Sequence, residues 1–169
     1  HDATYECLTA VLENTQNCEI IVVDNGSTPP IKPPFSGFIE TRVIRNEENK
    51  GFPVAVNQGI REAKGDVIIL LNNDVVVTPG WADYLLAHLD AYDLLGPCTN
   101  AISGPQQVDV EYGNPDELSQ AAADFHEENA GQALPFHRLV AFCLMIKREV
   151  IDKIGLLDAE GRIYQFFCF

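Results

Sequence analysis

Basic residues are scarce in this chain: 11 Lys and Arg stand against 25 Asp and Glu, giving a formal net charge of −14 and a pI near 4.4. So acidic a surface repels a phosphate backbone, and nucleic acid is excluded as an expected partner. Long hydrophobic runs are missing as well. The longest, Leu139 to Ile146, falls far short of the roughly 18 to 20 residues that cross a bilayer. No stretch reads as a signal peptide, so the expectation is a soluble, cytoplasmic protein that can still act peripherally at the inner face of a membrane. Metal-type spacing is absent too. Cys7, Cys18, Cys98, Cys143 and Cys168 form no C-x-x-C pair, and His1, His88, His126 and His137 lack zinc-type intervals. The cysteines read as buried thiols of a reducing compartment and the histidines as structural.

With 46% hydrophobic and 21% charged residues in 169, the chain has the make-up of one globular domain with room for a core. Its most informative stretch is Gly65-Asp66-Val67-Ile68-Ile69-Leu70-Leu71-Asn72-Asn73-Asp74. An apolar run that breaks off into three polar side chains is how a buried strand of an α/β sheet delivers a ligand site at its carboxyl end. Glu19 to Asp24 repeats the pattern, closed by Asn25-Gly26-Ser27-Thr28.

Around these two strands, helical spacing predicts helices over about residues 3–14 and 52–63, the second with Gly65 as its C-terminal cap. Strands are expected at 41–45, 67–71, 93–97 and 139–147. Thr78-Pro79 reads as an N-cap followed by proline, starting a helix to about His88, and Trp81 reads as core or pocket wall. Asn114-Pro115-Asp116-Glu117 reads as a capping-box start running to about Asn129, and Arg148 to Ile154 as a short helix stopped by Gly155. Pro29, Pro30, Pro33 and Pro34 make a stiff surface loop. The order strand, helix, strand across 41–71 calls for parallel pairing with a right-handed crossover.

Taken together, Ile20 to Ser27, Asn49-Lys50-Gly51-Phe52 with Asn57-Gln58-Gly59-Ile60, and Gly65-Asp66 through Asn72-Asn73-Asp74 closely resemble the ordered signatures of family 2 glycosyltransferases. Gly96 to Asn100 and Cys143 to Asp158 are similar to later parts of that family, so the resemblance covers about residues 5–158. It implies a GT-A, Rossmann-like, three-layer α/β/α fold with a mostly parallel central sheet. Within the single domain 1–169, residues 1–100 would form the nucleotide-sugar-binding half and 101–169 an incomplete acceptor-side half.

The implied activity is transfer of a sugar from a UDP- or dTDP-sugar to a glycan or lipid-linked saccharide, inverting and metal-dependent, in cell-envelope polysaccharide biosynthesis. The resemblance assigns the donor nucleotide to Asp24, Asn25, Gly26, Ser27, Asn49, Gly51, Phe52, Asn57, Asn72 and Asn73. It gives Asp74, last residue of the D-x-D-like element, a divalent Mg²⁺ or Mn²⁺. Chemistry agrees independently, because a diphosphate approaching a carboxylate needs a cation between them, and such cations take oxygen ligands and keep waters.

The family's catalytic base, a carboxylate about ten residues beyond Asp158 in an acidic cluster, has no match. That region reads Tyr164-Gln165-Phe166-Phe167-Cys168-Phe169, and the strand that usually precedes the first helix is also missing, so the chain reads as truncated at both ends. Asp158 or Glu160 would have to serve as base. The apolar tail would favour self-association into a homo-oligomer. The alternative reading is a catalytically silent nucleotide-binding or interaction module.

Overall fold

The computed structural model describes residues 2–32 and 39–160. The aromatic tail from Tyr164 to Phe169, and Pro33 and Pro34 of the proline loop, lie outside the described residues. The elements are α1 (Asp2–Asn14), β1 (Glu19–Asn25), β2 (Glu40–Asn46), α2 (Phe52–Glu62), β3 (Val67–Leu71), α3 (Trp81–Leu86), β4 (Leu94–Leu95), α4 (Pro115–Glu128), β5 (Cys143–Lys147) and α5 (Arg148–Ile154). Strands and helices interleave as an α/β sequence should.

The chain forms two compact units, each built from separate stretches of sequence. Among the described residues one holds 16–32, 39–68 and 146–160 and the other 2–15 and 69–145. The chain passes from one to the other after Thr15, inside β3 and again inside β5.

In the first unit β1 and β2 pair in parallel, in register from Glu19 opposite Glu40 to Asn25 opposite Asn46. Gly59 of α2 lies against Val23 of β1, where a β-carbon would sit 3.4 Å from the valine methyl. Ile31, Ala55, Ile60, Ile68, Ile146 and Ile151 are its buried apolar side chains. Helix α2 ends at Glu62 with Ala63 as its cap, in extended conformation, so Gly65 is not the cap the sequence suggested. The reason is Arg148, whose side chain donates to the carbonyls of Ala63 and Gly65, each at 2.8 Å. Together with Arg42, whose Nη2 donates to Glu62 O, the last helical carbonyl, at 2.8 Å, this cation does the work a left-handed glycine does elsewhere.

In the second unit Cys143, Leu144 and Met145 are the most deeply buried side chains, with Cys7, Leu8, Val11, Val77 and Leu85 also in its core. The three-stranded sheet has the order β3-β5-β4. Asn72 N–H bonds Phe142 O and Arg148 N–H bonds Asp66 O, both at 2.8 Å, so β5 runs antiparallel to β3. The parallel pairing expected across 41–71 is therefore corrected: among the described residues β2 pairs with β1, and β3 with β5.

Two strands are shorter than predicted. Strand β5 starts at Cys143 rather than Leu139, and β4 is confined to Leu94–Leu95. Gln106 explains both. Its buried amide accepts from Val140 N–H at 2.6 Å and donates to Pro97 O at 2.9 Å, satisfying the backbone there in place of a ladder.

Helix α3 starts at Trp81 rather than at Pro79, because Thr78 closes a turn through its carbonyl to Trp81 N–H and Gly80 takes the cap position at φ 78°. A β-carbon on Gly80 would come within 2.9 Å of the Tyr84 ring. Helix α4 is capped at Asn114 as expected, with Asn114 accepting from Glu117 N–H at 3.0 Å, while the Glu117 carboxylate reaches one residue beyond the cap, to Gly113 N–H at 2.6 Å. Tyr84 of α3 stacks on His126 of α4 with ring centroids 3.3 Å apart.

Candidate functional site

At the carboxyl end of β1, Asp24 is buried, and its side chain is wholly withdrawn from solvent. One carboxylate oxygen accepts from Ser27 N–H at 2.9 Å. The other accepts from Ile31 N–H at 2.9 Å and faces Arg45 Nη1 at 2.6 Å. Burial favours the neutral acid, but the Ile31 and Ser27 donors and Arg45 outweigh it and hold the carboxyl below its ordinary range. Asp24 thus anchors the loop from Asn25 to Ile31 from within.

Asn25 organises the neighbouring loop. Its Oδ1 accepts from Asn46 Nδ2 and from Lys50 N–H, both at 3.0 Å, while its Nδ2 donates to Asn49 Oδ1 at 2.8 Å and to Gly51 O at 3.3 Å. Asn49 Oδ1 also takes Gly51 N–H at 2.9 Å, and Asn46 exchanges two bonds with Gln58 of α2. Gly26 is needed at this junction. Its φ is 90°, and a β-carbon would come 2.8 Å from the backbone of Glu48 and Asn49. Gly51, at φ 84°, caps α2, and the ring of Phe52 that follows is half exposed.

Asn57 is buried, and both ends of its amide close on the backbone of Leu157, donating to the carbonyl at 2.8 Å and accepting from the N–H at 2.9 Å. This pair of bonds fixes the segment that leads to Asp158. Asp158 itself is exposed, and its carboxylate accepts from Glu160 N–H at 2.9 Å.

In the second unit, Asn72-Asn73-Asp74 turns out of β3 as the strand ends. Asn72 is held by its backbone, with N–H on Phe142 O and O accepting from Cys7 Sγ at 3.5 Å. Asn73 Nδ2 donates to Thr4 Oγ1 at 2.7 Å, and Asp74 is exposed. Burial pushes the Cys7 thiol up; Val75 opposes that through its backbone and the Asp74 charge adds to it. Among the described residues no group of three His, Cys, Asp or Glu side chains converges on one point. Asp74 is thus a single exposed carboxylate on this turn and is not part of a closed cage of protein ligands.

Neither Gln106 nor the Thr4 and Cys7 supports stood out in the sequence. The signal for the latter pair was their three-residue spacing on one helix, which serves core packing equally well.

The family model described as glycosyl transferase family 2 matches residues 2–155. The chain belongs to that family. An uncharacterized glycosyltransferase of Haemophilus influenzae is similar at 35% identity over 176 aligned residues, covering 99% of this chain and 55% of its own length. The uncharacterized glycosyltransferase YwdF of Bacillus subtilis is 28% identical over 148 residues, 86% of this chain and 53% of its own. Glycosyltransferase GlyG of Streptococcus pneumoniae is 25% identical over 185 residues, 96% and 60% respectively. The chain spans little more than half the length of these curated relatives.

Membership in glycosyl transferase family 2 carries the GT-A, Rossmann-like fold class with it, and the parallel β1–β2 pair and interleaved helices agree. No helix among the described residues is long and apolar enough to cross a membrane.

Proposed function

We propose that this family 2 glycosyltransferase chain transfers a sugar from a UDP- or dTDP-sugar to a glycan or lipid-linked saccharide, with inversion and with the help of a divalent cation. The observation that carries the reading is the family match over residues 2–155, which includes an exposed Asp74 on the turn at the end of β3. Each requirement of the chemistry is assigned within one unit.

A nucleoside needs an aromatic face and a shaped backbone. The loop built on Asp24, Asn25, Gly26, Ser27, Asn49 and Gly51 provides the second, and the half-exposed Phe52 ring the first. A diphosphate needs its charge matched in a chain of net charge −14. Asp74 is the residue to hold the cation, with the Asn72 and Asn73 amides as neutral neighbours. When bound, such a cation neutralises charge on the departing diphosphate. The acceptor hydroxyl attacks the anomeric carbon as the bond to the diphosphate oxygen breaks, and its proton passes to a carboxylate, for which Asp158 and Glu160 are the candidates.

Nucleotide binding without turnover is a second reading. It is favoured by Asp158, whose carboxylate is engaged by the Glu160 N–H.

Calorimetric titration of UDP and dTDP, with and without Mn²⁺, into wild type and Asp74→Ala tests the donor site. Metal-dependent binding lost in Asp74→Ala is expected, and equal binding by both proteins refutes the assignment. Product formation from a UDP-sugar, lost in Asp158→Asn or in Glu160→Gln, separates transfer from silent binding.

A further inference from the structure

Residues 72–80 run from the end of β3 to the start of α3 without a ladder or helix of their own, yet α1 holds this stretch and the first residue of α3 at four points. Thr4 Oγ1 accepts from Asn73 Nδ2 at 2.7 Å, and Cys7 Sγ donates to Asn72 O at 3.5 Å. Asn14 Nδ2 donates to Val77 O at 3.3 Å, and Thr15 Oγ1, just past the helix, accepts from Trp81 Nε1 at 3.0 Å. Thr4 and Cys7 lie one turn apart on the same helix face, both are buried, and both touch the residues immediately before Asp74.

We propose that Thr4 and Cys7 are positioning residues for Asp74, fixing the Asn72-Asn73-Asp74 turn so that its carboxylate is preorganised for the cation of a bound nucleoside diphosphate. The inference rests on the donor-site reading above. A cage of several protein ligands defines a cation's place by itself, whereas a single carboxylate defines it only as well as its own backbone is held. If the turn wandered, binding would have to order it first, and affinity would fall by that amount. Support from outside solves this without adding charge. The hydroxyl and thiol leave the Asp74 oxygens free and restrain what lies on their amino-terminal side. The consequence is selective: losing the supports weakens the part of nucleotide affinity that depends on metal and leaves the metal-free part alone.

The experiment compares wild type, Thr4→Val, Thr4→Ser, Cys7→Ala and Asp74→Ala. UDP is titrated with and without Mn²⁺, and hydrogen exchange is followed at the amides of residues 73–76. Thr4→Val removes the acceptor at nearly constant shape. It is expected to weaken Mn²⁺-dependent UDP binding by about three- to tenfold, the scale of one neutral hydrogen bond, and to speed exchange at 73–76. Thr4→Ser restores both, and metal-free UDP binding is unchanged in the Thr4 and Cys7 variants. Cys7→Ala acts in the same direction with a smaller effect.

Unchanged exchange and unchanged Mn²⁺-dependent binding in Thr4→Val overturn the proposal. So does an equal loss of metal-free and metal-dependent binding, which marks a general structural role. If wild type and Asp74→Ala bind UDP alike with Mn²⁺, the donor-site reading falls and this proposal with it. Exchange at 73–76 still reports whether Thr4 holds the turn, so the two failures are told apart.

Discussion

Replacing Asp24 by asparagine keeps the shape of the side chain and removes its charge. The carboxylate has no exposed surface and is surrounded by donors alone: Ser27 N–H, Ile31 N–H and Arg45. An amide must turn its own donor toward one of them. Removing one partner of a buried pair costs about 3–5 kcal/mol. The Arg45 side chain keeps 30% of its exposure, so water takes up part of the released charge, and about 2–3 kcal/mol is expected. With a urea dependence of about 2 kcal/mol per M, the unfolding midpoint at neutral pH falls by about 1–1.5 M, followed by far-ultraviolet circular dichroism. Because the folded carboxyl is held below its ordinary range, the charge-linked stability is fully present above the unfolded carboxyl range near about 4. It is lost as pH falls through the folded value. Asp24→Asn has no such charge to lose, so the two proteins converge in acid. Midpoints agreeing within about 0.2 M at neutral pH, or a gap that persists undiminished at about pH 2, would show that the Asp24 charge does not stabilise the fold.

Asn57→Leu removes both bonds to the Leu157 backbone and is expected to destabilise by about 1–3 kcal/mol, with faster hydrogen exchange at the Leu157 amide; slow exchange there in the variant would contradict the clamp. Gly26→Ala, at φ 90° against the Glu48 and Asn49 backbone, is expected to lower stability by more than about 1 kcal/mol and to weaken UDP binding, and an unaltered thermal midpoint would show that the junction yields. Among the described cysteines the exposed Cys98 should react with a thiol reagent in the folded protein, while Cys7 and Cys143 wait for unfolding. Burial, reinforced by Cys7, pushes the Cys143 thiol up to about 12, and mass mapping of the first labelled site decides.

Where apolar pattern and end signals coincide, the elements were legible in sequence. Val67 to Leu71 and Arg148 to Ile154 have the bounds expected from an apolar run and from a helix closed by glycine, and Asn114 caps α4. What escaped were contributions from far along the chain. Gln106 satisfies Val140 and Pro97 and so shortens two strands, and Arg148 caps α2 from more than eighty residues away. At the candidate site the residue types stood out but their partners did not. An asparagine at a strand tip looks the same in sequence whether its amide meets a ligand or the next loop. Asn25, Asn49 and Asn57 all have partners within the chain. Asp74 differs because it sits exposed on a turn whose neighbours, not itself, carry the internal bonds.

The pairing of Asp24 with Arg45 bears on how the chain assembles. These residues stand directly opposite each other in the parallel β1–β2 pair, and near the other end Arg42 of β2 reaches Glu19 of β1 at 2.6 Å. A slip of one residue would turn every side chain of β2 to the opposite face. It would separate both ion pairs at once and leave a desolvated carboxylate without its counter-charge. Apolar β-branched strands such as Ile20 to Val23 discriminate poorly among alignments, since one isoleucine packs much like another. Two charges at opposite ends act as a proofreading device, making the misaligned pair expensive as the rest of the unit closes around it and withdraws Asp24 from water.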